Sequence, residues 1–172
     1  MEAFEELVQL YQDRVFTHCS HLASNSFDAQ DLAQDVFVQA FRNIRSFRQD
    51  SDFGTWLHRI AINLWINYCR KHKKAVVISL DEPLVLGDNE LSRELAAVQD
   101  SPLEVLERTE LADLLKRALD RIHPDYKTAL VLREMEGYSY EEIASILGCS
   151  LGTVKSRINR GRKALLKELN RR

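Results

Sequence analysis

The sequence predicts an all-α protein with two small helical domains joined by an acidic linker. Apolar residues recur at helical spacing along most of the chain, and the 172 residues include only six Gly and three Pro. Between the two helical parts the apolar periodicity fades and turn-like pairs appear. We therefore expect a first domain over residues 1–75, a linker over 76–101 and a second domain over 102–172.

The first domain is predicted to contain three helices. Apolar residues at helical spacing over residues 4–15 indicate the first. The second should begin after Asp28, as its N-cap, and end near Phe41. The third should begin near Asp52 and end in the cationic run 70–74, because the C-terminus of a helix favours positive charge.

The second domain is predicted to contain four helices. Capping-box patterns, in which Ser precedes Glu by three residues, mark the start of the first at Ser101 and of the third at Ser139. The expected helices cover residues 102–120, 124–136, 140–147 and 151–169.

A helix-turn-helix is indicated by the segment YSYEEIASILGCSLGTVKSRINRGRKALLKEL. Ala144 leaves room where the two helices cross, and Gly148 can adopt the positive φ that the turn requires. This spacing of small, Gly and β-branched residues is typical of DNA-binding units. The expected core of the unit is Ile143, Leu147, Val154 and Ile158.

The second helix of this motif is rich in side chains that can contact duplex DNA. Lys and Arg can read guanine edges, Asn can pair with adenine, and the amides at the helix N-terminus can hold phosphates. The alternative is a helical hairpin whose basic surface meets only solvent. The predicted DNA contacts are Thr153, Lys155, Ser156, Arg157, Asn159, Arg160, Arg162 and Lys163.

Charge is distributed in blocks although the whole chain carries only −2. Residues 42–74 contain eight basic and two acidic side chains, and residues 150–172 contain eight basic and one acidic. The acidic blocks are residues 1–41 and 76–107, each with a single basic side chain. Two basic blocks predict two separate contacts with a polyanion, although charge runs can also be solvated helix surfaces.

Cysteine use and the absence of targeting patterns favour a cytoplasmic protein. Cys19, Cys69 and Cys149 are far apart and form no CxxC pair, which fits a reducing compartment. The N-terminal segment lacks the order of a secretion signal, and no apolar run approaches the roughly 18–20 residues that span a bilayer. We expect no direct membrane insertion.

An enzyme is the least favoured function class, and no cofactor is expected. The sequence has neither a phosphate-cradling glycine loop nor a nucleophile elbow. His18 and His21, at positions i and i+3, could bind zinc, but no further ligand is clustered with them in the sequence, so a packed or solvent-facing pair is favoured. Redox sensing has little support, and Cys149 in the turn would be the cysteine to test.

Aromatic and cationic residues interleave in the first basic block. Trp56 and Trp65 lie nine residues apart, and Asn63 and Asn67 share a helix face. Such a pattern suits single-stranded nucleic acid, whose bases stack on aromatic rings while cations neutralise phosphates. Tryptophan in a helix is more often a core residue, and we expect Trp56 to be mostly buried.

Three segments together resemble the sigma-70 family, and in particular its extracytoplasmic-function (ECF) group. They are DAQDLAQDVFVQAFRN, SFRQDSDFGTWLHRIAINLWINYCRK and YSYEEIASILGCSLGTVKSRINRGR. The resemblance implies a sigma factor that binds RNA polymerase core and directs initiation at −10 and −35 promoter elements. Its implied partners are the polymerase β′ clamp and β flap, promoter DNA and an anti-sigma factor, with no small-molecule substrate.

The resemblance also implies roles for particular residues. The acidic linker resembles the segment that passes through the polymerase towards the RNA exit channel, and the last helix resembles the reader of the −35 element. The implied polymerase contacts are Asp31, Leu32, Gln34, Asp35 and Phe37. The implied readers of the −10 element, where a base is flipped into a pocket, are Phe47, Arg48, Arg59, Asn63, Asn67, Arg70 and Lys71.

The main alternative is a stand-alone helix-turn-helix regulator. Such a regulator needs a dimer interface and an operator with half-site symmetry. The N-terminal half shows neither a long heptad repeat nor an evident ligand-sensing motif. Co-purification with core polymerase would separate the two hypotheses.

Overall fold

The computed structural model describes residues 2–47, 52–72 and 102–171. All secondary structure in these ranges is helical, which confirms the predicted fold class. The predicted linker, residues 76–101, lies wholly outside the described residues. The helices are α1 (Glu2–Leu22), α2 (Ser26–Asn43), α3 (Phe53–His72), α4 (Pro102–Leu119), α5 (Pro124–Leu130), α6 (Tyr140–Leu147) and α7 (Leu151–Leu169). A 3₁₀ turn, Ile44–Ser46, follows α2, and a π-helical turn, Val131–Met135, continues α5.

Helix α2 begins earlier than the sequence pattern predicted. Asn25, and not Asp28, is its N-cap, since the Asn25 side chain accepts a hydrogen bond from the backbone N–H of Asp28 at 2.9 Å. The Asn25 amide in turn donates to the Asp28 carboxylate at 2.8 Å. Asp28 therefore lies in the first turn, where the helix dipole favours negative charge.

Helices α1, α2 and α3 pack as a three-helix unit around an apolar core. Each helix contributes a buried stripe at helical spacing, and Trp65 of α3 is buried with it. Trp56 is partly buried and packs against this core, as predicted, and it also lies beside a cavity. The central residues of this core are Val15, Leu22, Leu32, Val36, Leu57 and Ile62.

The helix-turn-helix forms as predicted, with one change in its core. Ser139 and Glu142 make the capping box that begins α6, and Gly148 ends it with a φ of 61°. Ile143 and Val154 are fully buried, but Ile146 is buried where Leu147 was expected, and Leu147 is half-buried. Both positions lie near the same helix face, so the apolar pattern alone did not distinguish them.

Gly161 sets the distance between α5 and α7. A Cβ atom at this buried position would lie 3.0 Å from Leu130 Cγ and 3.3 Å from Tyr126 Cβ. Contacts that short force a neighbouring atom to move. The close approach of the two helices therefore favours glycine at this position, although α7 is otherwise regular.

The two helical units contact each other through buried polar groups as well as apolar ones. Lys127 of α5 is 2% exposed, and its ammonium group donates to the backbone carbonyl of Leu22 at the end of α1. It also donates to Asp120 at 2.7 Å and lies 5.1 Å from the centre of the Trp65 ring. A buried cation is tolerated when it is paired and hydrogen-bonded in this way.

We predict that Gly161→Ala lowers the free energy of unfolding by about 1–3 kcal/mol, because overpacking outweighs the helix-propensity gain of about 1 kcal/mol. Gly152→Ala is the matched control in the same helix, where a Cβ atom meets nothing closer than the Ser150 hydroxyl at 3.9 Å. Urea unfolding of both variants measures the difference. Equal stabilisation by the two changes would contradict the close helix contact.

Candidate nucleic-acid interface

The first candidate surface is a groove between α5 and the start of α7. The Ser150 hydroxyl caps α7 by accepting from the N–H of Thr153 at 3.2 Å. The groove has a volume of about 520 Å³ and contains the first exposed turn of α7. Four predicted DNA contacts line it, namely Thr153, Ser156, Arg157 and Arg160, together with His123, Asp125, Tyr126, Ser150 and Gly152.

Two of the predicted basic contacts already hold carboxylates of the same chain. Arg157 donates to Asp125 at 3.0 Å, and Arg162 donates to Glu134 at 2.7 Å. Both pairs are partly exposed, so they are weak and can exchange with a phosphate. Of the remaining predicted contacts, Asn159 is half-buried, and Lys155, Arg160 and Lys163 form no ion pair with any residue that the structure describes.

The second candidate surface is a cavity of about 300 Å³ between α2, the 3₁₀ turn and α3. It brings together three predicted residues, Arg59, Asn63 and Asn67. Side-chain amides offer donors and acceptors at once, as do the edges of unpaired bases. Sequence reasoning missed four of the other lining residues, Gln39, Asn43, Ile60 and Leu64, and the lining is completed by Ser46 and Trp56.

The wall of this cavity is held by local hydrogen bonds. The Asn43 amide donates to the Gln39 carbonyl at 2.9 Å, and the Ser46 hydroxyl donates to the Asn43 carbonyl at 2.7 Å. Gln39 and Asn43 lie one turn apart on α2, and this i, i+4 pair of amides is the signal that could have identified them.

The remaining predicted residues of this surface do not line the cavity. Phe47 is half-buried, with its ring centre 5.3 Å from that of Phe53 and 5.2 Å from that of Trp56, so it supports the wall. Arg70 and Lys71 are exposed at the end of α3. Arg48 lies outside the described residues.

The third candidate surface is the exposed face of α2. Asp31, Gln34 and Asp35 are exposed as the prediction requires, whereas Leu32 belongs to the core and Phe37 is half-buried. Three exposed apolar residues share the same face at helical spacing, and Phe27 is the most exposed of them at 81%. Such a mixed surface is typical of a protein contact site. The apolar members are Phe27, Val38 and Phe41.

A buried polar cluster lies apart from these surfaces, at the contact between the two helical units. We call His18, His21, His58 and Glu136 the histidine cluster. His18 Nδ1 and His21 Nδ1 lie 3.2 Å and 3.0 Å from the same carboxylate oxygen of Glu136. His18 stacks on His58 with ring centres 4.0 Å apart. The sequence showed only the His18–His21 pair, because Glu136 is more than a hundred residues away.

Burial and hydrogen bonding set the ionisation of this region. Burial alone would raise the pKa of Glu136, but its hydrogen bonds with His18 and His21 hold that pKa well below its usual range. Burial, followed by the neighbouring His18, lowers the pKa of His58 to about 3. Burial also raises the pKa of the Cys19 thiol to about 12, which disfavours the reactive thiolate.

Among the helices that the structure describes, none combines the length and apolar character needed to cross a bilayer.

Comparison with known proteins identifies both helical units. Residues 7–75 match the model of sigma-70 region 2, and residues 112–165 match that of sigma-70 region 4. The ECF RNA polymerase sigma factor SigW of Bacillus subtilis is 35% identical over 170 residues, which cover 98% of this chain and 89% of that protein.

Two further similarities agree with these matches. The ECF RNA polymerase sigma factor SigE of Mycolicibacterium smegmatis is 36% identical over 165 residues, and the chain spans 61% of its length. The solved structure of the sigma factor RpoE with the anti-sigma factor NepR, from Bartonella quintana, superposes with a TM-score of 0.66 at 27% identity and covers 99% of both chains. The chain therefore belongs to the sigma-70 family, within its ECF group of RNA polymerase sigma factors.

Proposed function

We propose that this protein binds RNA polymerase core and directs it to promoters through two DNA-reading surfaces. The observation that carries the proposal is the pair of separate surfaces on the two units: the basic groove at the start of α7 and the amide-lined cavity between α2 and α3. Two separate surfaces suit two promoter elements at a distance from each other, one read as duplex and one as an opened strand.

The groove at α7 suits the major groove of the −35 element. A recognition helix contacts base edges with its N-terminal residues while neighbouring groups hold the backbone. Arg160 lines the groove without a carboxylate partner among the described residues, so it is the best candidate for bidentate contact with guanine. Arg157 and Arg162, held by Asp125 and Glu134, suit phosphate contacts made by exchange of partners.

The cavity beside α3 suits a base flipped from the −10 element. Its volume of about 300 Å³ can admit one base, and four amide side chains line it. Arg59 at its edge can neutralise the adjoining phosphate. Trp56 offers a half-buried aromatic surface against which a base can stack. Arg48, Arg70 and Lys71 would then contact the strand outside the cavity.

The exposed face of α2 is the proposed contact with the β′ clamp. Asp31, Gln34 and Asp35 supply polar contacts, while Phe27 and Val38 supply the apolar area that the acidic residues alone would lack. A rim of charge around an apolar centre is the usual anatomy of such a contact. Leu32 and Phe37 support this face from beneath.

The proposal also covers how the protein is regulated and where in the cell it acts. The RpoE structure is a complex with an anti-sigma factor, and we propose that an anti-sigma factor also controls this chain. The protein acts as a non-enzymatic specificity subunit in the cytoplasm, with no small-molecule substrate. We assign the two domains to residues 1–75 and 102–172, with the acidic segment 76–101 placed in the polymerase.

Reconstitution tests the proposal against the stand-alone regulator. The purified chain is added to core polymerase with a library of genomic DNA, and transcript starts are mapped. A sigma factor co-elutes with core and yields start sites that share sequences near −10 and −35. A chain that binds symmetric operators as a dimer and leaves start-site choice unchanged would refute the proposal.

We predict that Arg160→Ala lowers initiation about tenfold at promoters that carry the cognate −35 element, because a bidentate base contact contributes roughly 1–3 kcal/mol. Arg162→Ala is the comparison, because it removes a proposed phosphate contact whose guanidinium already pairs with Glu134, and its loss should be smaller and independent of the −35 sequence. Run-off transcription with reconstituted holoenzyme measures both. A larger loss in Arg162→Ala would show that the bases meet a different face of α7.

We predict that Asn63→Ala impairs promoter opening while core binding is retained, because the cavity loses a group that pairs with the flipped base. Permanganate reactivity of unpaired thymines measures the opening, and co-elution measures core binding. Asn170→Ala removes an exposed amide far from the cavity and should change neither. Normal opening by Asn63→Ala would exclude Asn63 from base recognition.

We predict that Asp35→Arg weakens core binding about tenfold or more, because it reverses the charge of an exposed acidic group at the centre of the proposed contact. The control is Asp13→Arg, which reverses an exposed charge on α1. Fluorescence anisotropy with labelled protein and core polymerase measures both affinities. If the two variants bind alike, the contact lies elsewhere than on α2.

A further inference from the structure

The histidine cluster combines groups from three distant segments at the contact between the two units. His18 and His21 belong to α1, His58 belongs to α3, and Glu136 follows the π-helical turn. Ligating atoms of His18, His58 and Glu136 all lie within 4.8 Å of one another. His18 is fully buried and His58 is 2% exposed, so water has little access to their rings.

Each of the two buried imidazoles has one nitrogen held and one nitrogen without a partner. His18 Nδ1 contacts Glu136 at 3.2 Å, and His58 Nδ1 contacts the Tyr138 hydroxyl at 3.0 Å. The Nε2 atoms of both rings are buried and have no hydrogen-bond partner among the residues that the structure describes. A histidine that binds a metal typically has its other nitrogen fixed by a polar group, as the Tyr138 hydroxyl fixes His58 Nδ1.

We propose that His18, His58 and Glu136 form a site for a divalent cation of the zinc type, which links the two domains. Zinc prefers imidazole nitrogen and carboxylate oxygen in a tetrahedral arrangement, with a water in any open position. His21 does not bind the ion in this site. It positions Glu136 through its hydrogen bond to the carboxylate at 3.0 Å.

The ion requires a small rearrangement of the side chains. Ligands about 2.0 Å from a tetrahedral zinc lie about 3.3 Å apart, so atoms now up to 4.8 Å apart must converge. The His18 and His58 rings are stacked with planes 9° apart, so one ring must turn before both nitrogens face one ion. Arg14 and Asp52, which carry opposite charges, are the neighbouring groups that act electrostatically on His58.

The site is complete only when the two units are in contact. The two histidine ligands belong to the N-terminal unit and Glu136 to the C-terminal unit. A cation that needs all three stabilises the contact by mass action. Zinc should therefore oppose any state in which the units separate. If the units must separate when the protein binds polymerase, zinc should also slow holoenzyme assembly. That second expectation rests on the proposed function, whereas zinc binding itself does not.

The experiment is zinc titration of the metal-free, full-length protein against a chromophoric chelator. We expect one equivalent of tightly bound zinc, and visible absorption of tetrahedral type when Co²⁺ replaces it. His58→Gln and Glu136→Gln should each weaken binding about tenfold to a hundredfold. His72→Gln, an exposed change on the same helix as His58, should leave binding unchanged.

A second readout keeps the test decisive if a core variant fails to fold. His21 is only half-buried, and His21→Gln should weaken zinc binding about tenfold through loss of support for Glu136. Zinc should raise the thermal midpoint of the wild-type protein but not of Glu136→Gln. The site is refuted if the chelator removes all zinc from the wild-type protein, or if His58→Gln, His21→Gln and His72→Gln bind zinc alike.

The two proposals fail separately. Zinc binding with no polymerase binding would refute only the sigma-factor function. Start-site selection by a protein that binds no zinc would refute only the metal site, and would show the histidine cluster to be a hydrogen-bonded contact alone.

Discussion

The buried ammonium group of Lys127 constrains how the two helical units meet. Its position leaves it almost no contact with solvent, so its hydrogens must be satisfied inside the protein. One acceptor, Asp120, belongs to its own unit, but the Leu22 carbonyl belongs to α1 of the other. The last turn of a helix has free carbonyls, and one of them here satisfies a cation from the partner unit. Separation of the units exposes both groups to water together.

Helix α3 connects the contact between the units to the proposed DNA-binding cavity, because it contributes residues to three surfaces. Leu57 and Ile62 belong to the core of the N-terminal unit, and His58 and Trp65 lie towards the C-terminal unit. Arg59, Asn63 and Asn67 occupy the opposite side and line the cavity. The helical period alone separates these sets. A shift of α3 by one residue would therefore disturb all three surfaces.

The sequence predicted the helices well because their signals are local. Capping pairs such as Ser139 with Glu142, and the apolar stripe of each helix, involve residues three or four positions apart. Asn25 and Asp28 both have side chains that cap helices well, so composition could not show which of them begins α2. The α7 side of the groove was predictable for the same reason, since its four predicted lining residues come from one helix face.

Contacts between distant segments were beyond the sequence pattern. Nothing near Arg157 or Arg162 indicated that Asp125 and Glu134 would hold them. Gln39 and Asn43 became visible as cavity residues only when α2 was placed beside α3. The histidine cluster is the extreme case, because His18 and Glu136 are 118 residues apart. Tertiary packing determines such neighbours, and no single helix encodes them.

The packing of the two units determines which property of the protein a regulator can change. The cavity lies on the side of α3 away from His58, and the groove at α7 is open to solvent beside α5. The contact between the units therefore leaves both proposed DNA surfaces accessible. What the contact restricts is their relative position, because Lys127 and the histidine cluster hold the units together at two points. The spacing of the two surfaces must match the spacing of the two promoter elements. A regulator that strengthens the Lys127 contact or the histidine cluster would therefore act on this spacing, and would not need to cover either DNA-binding surface.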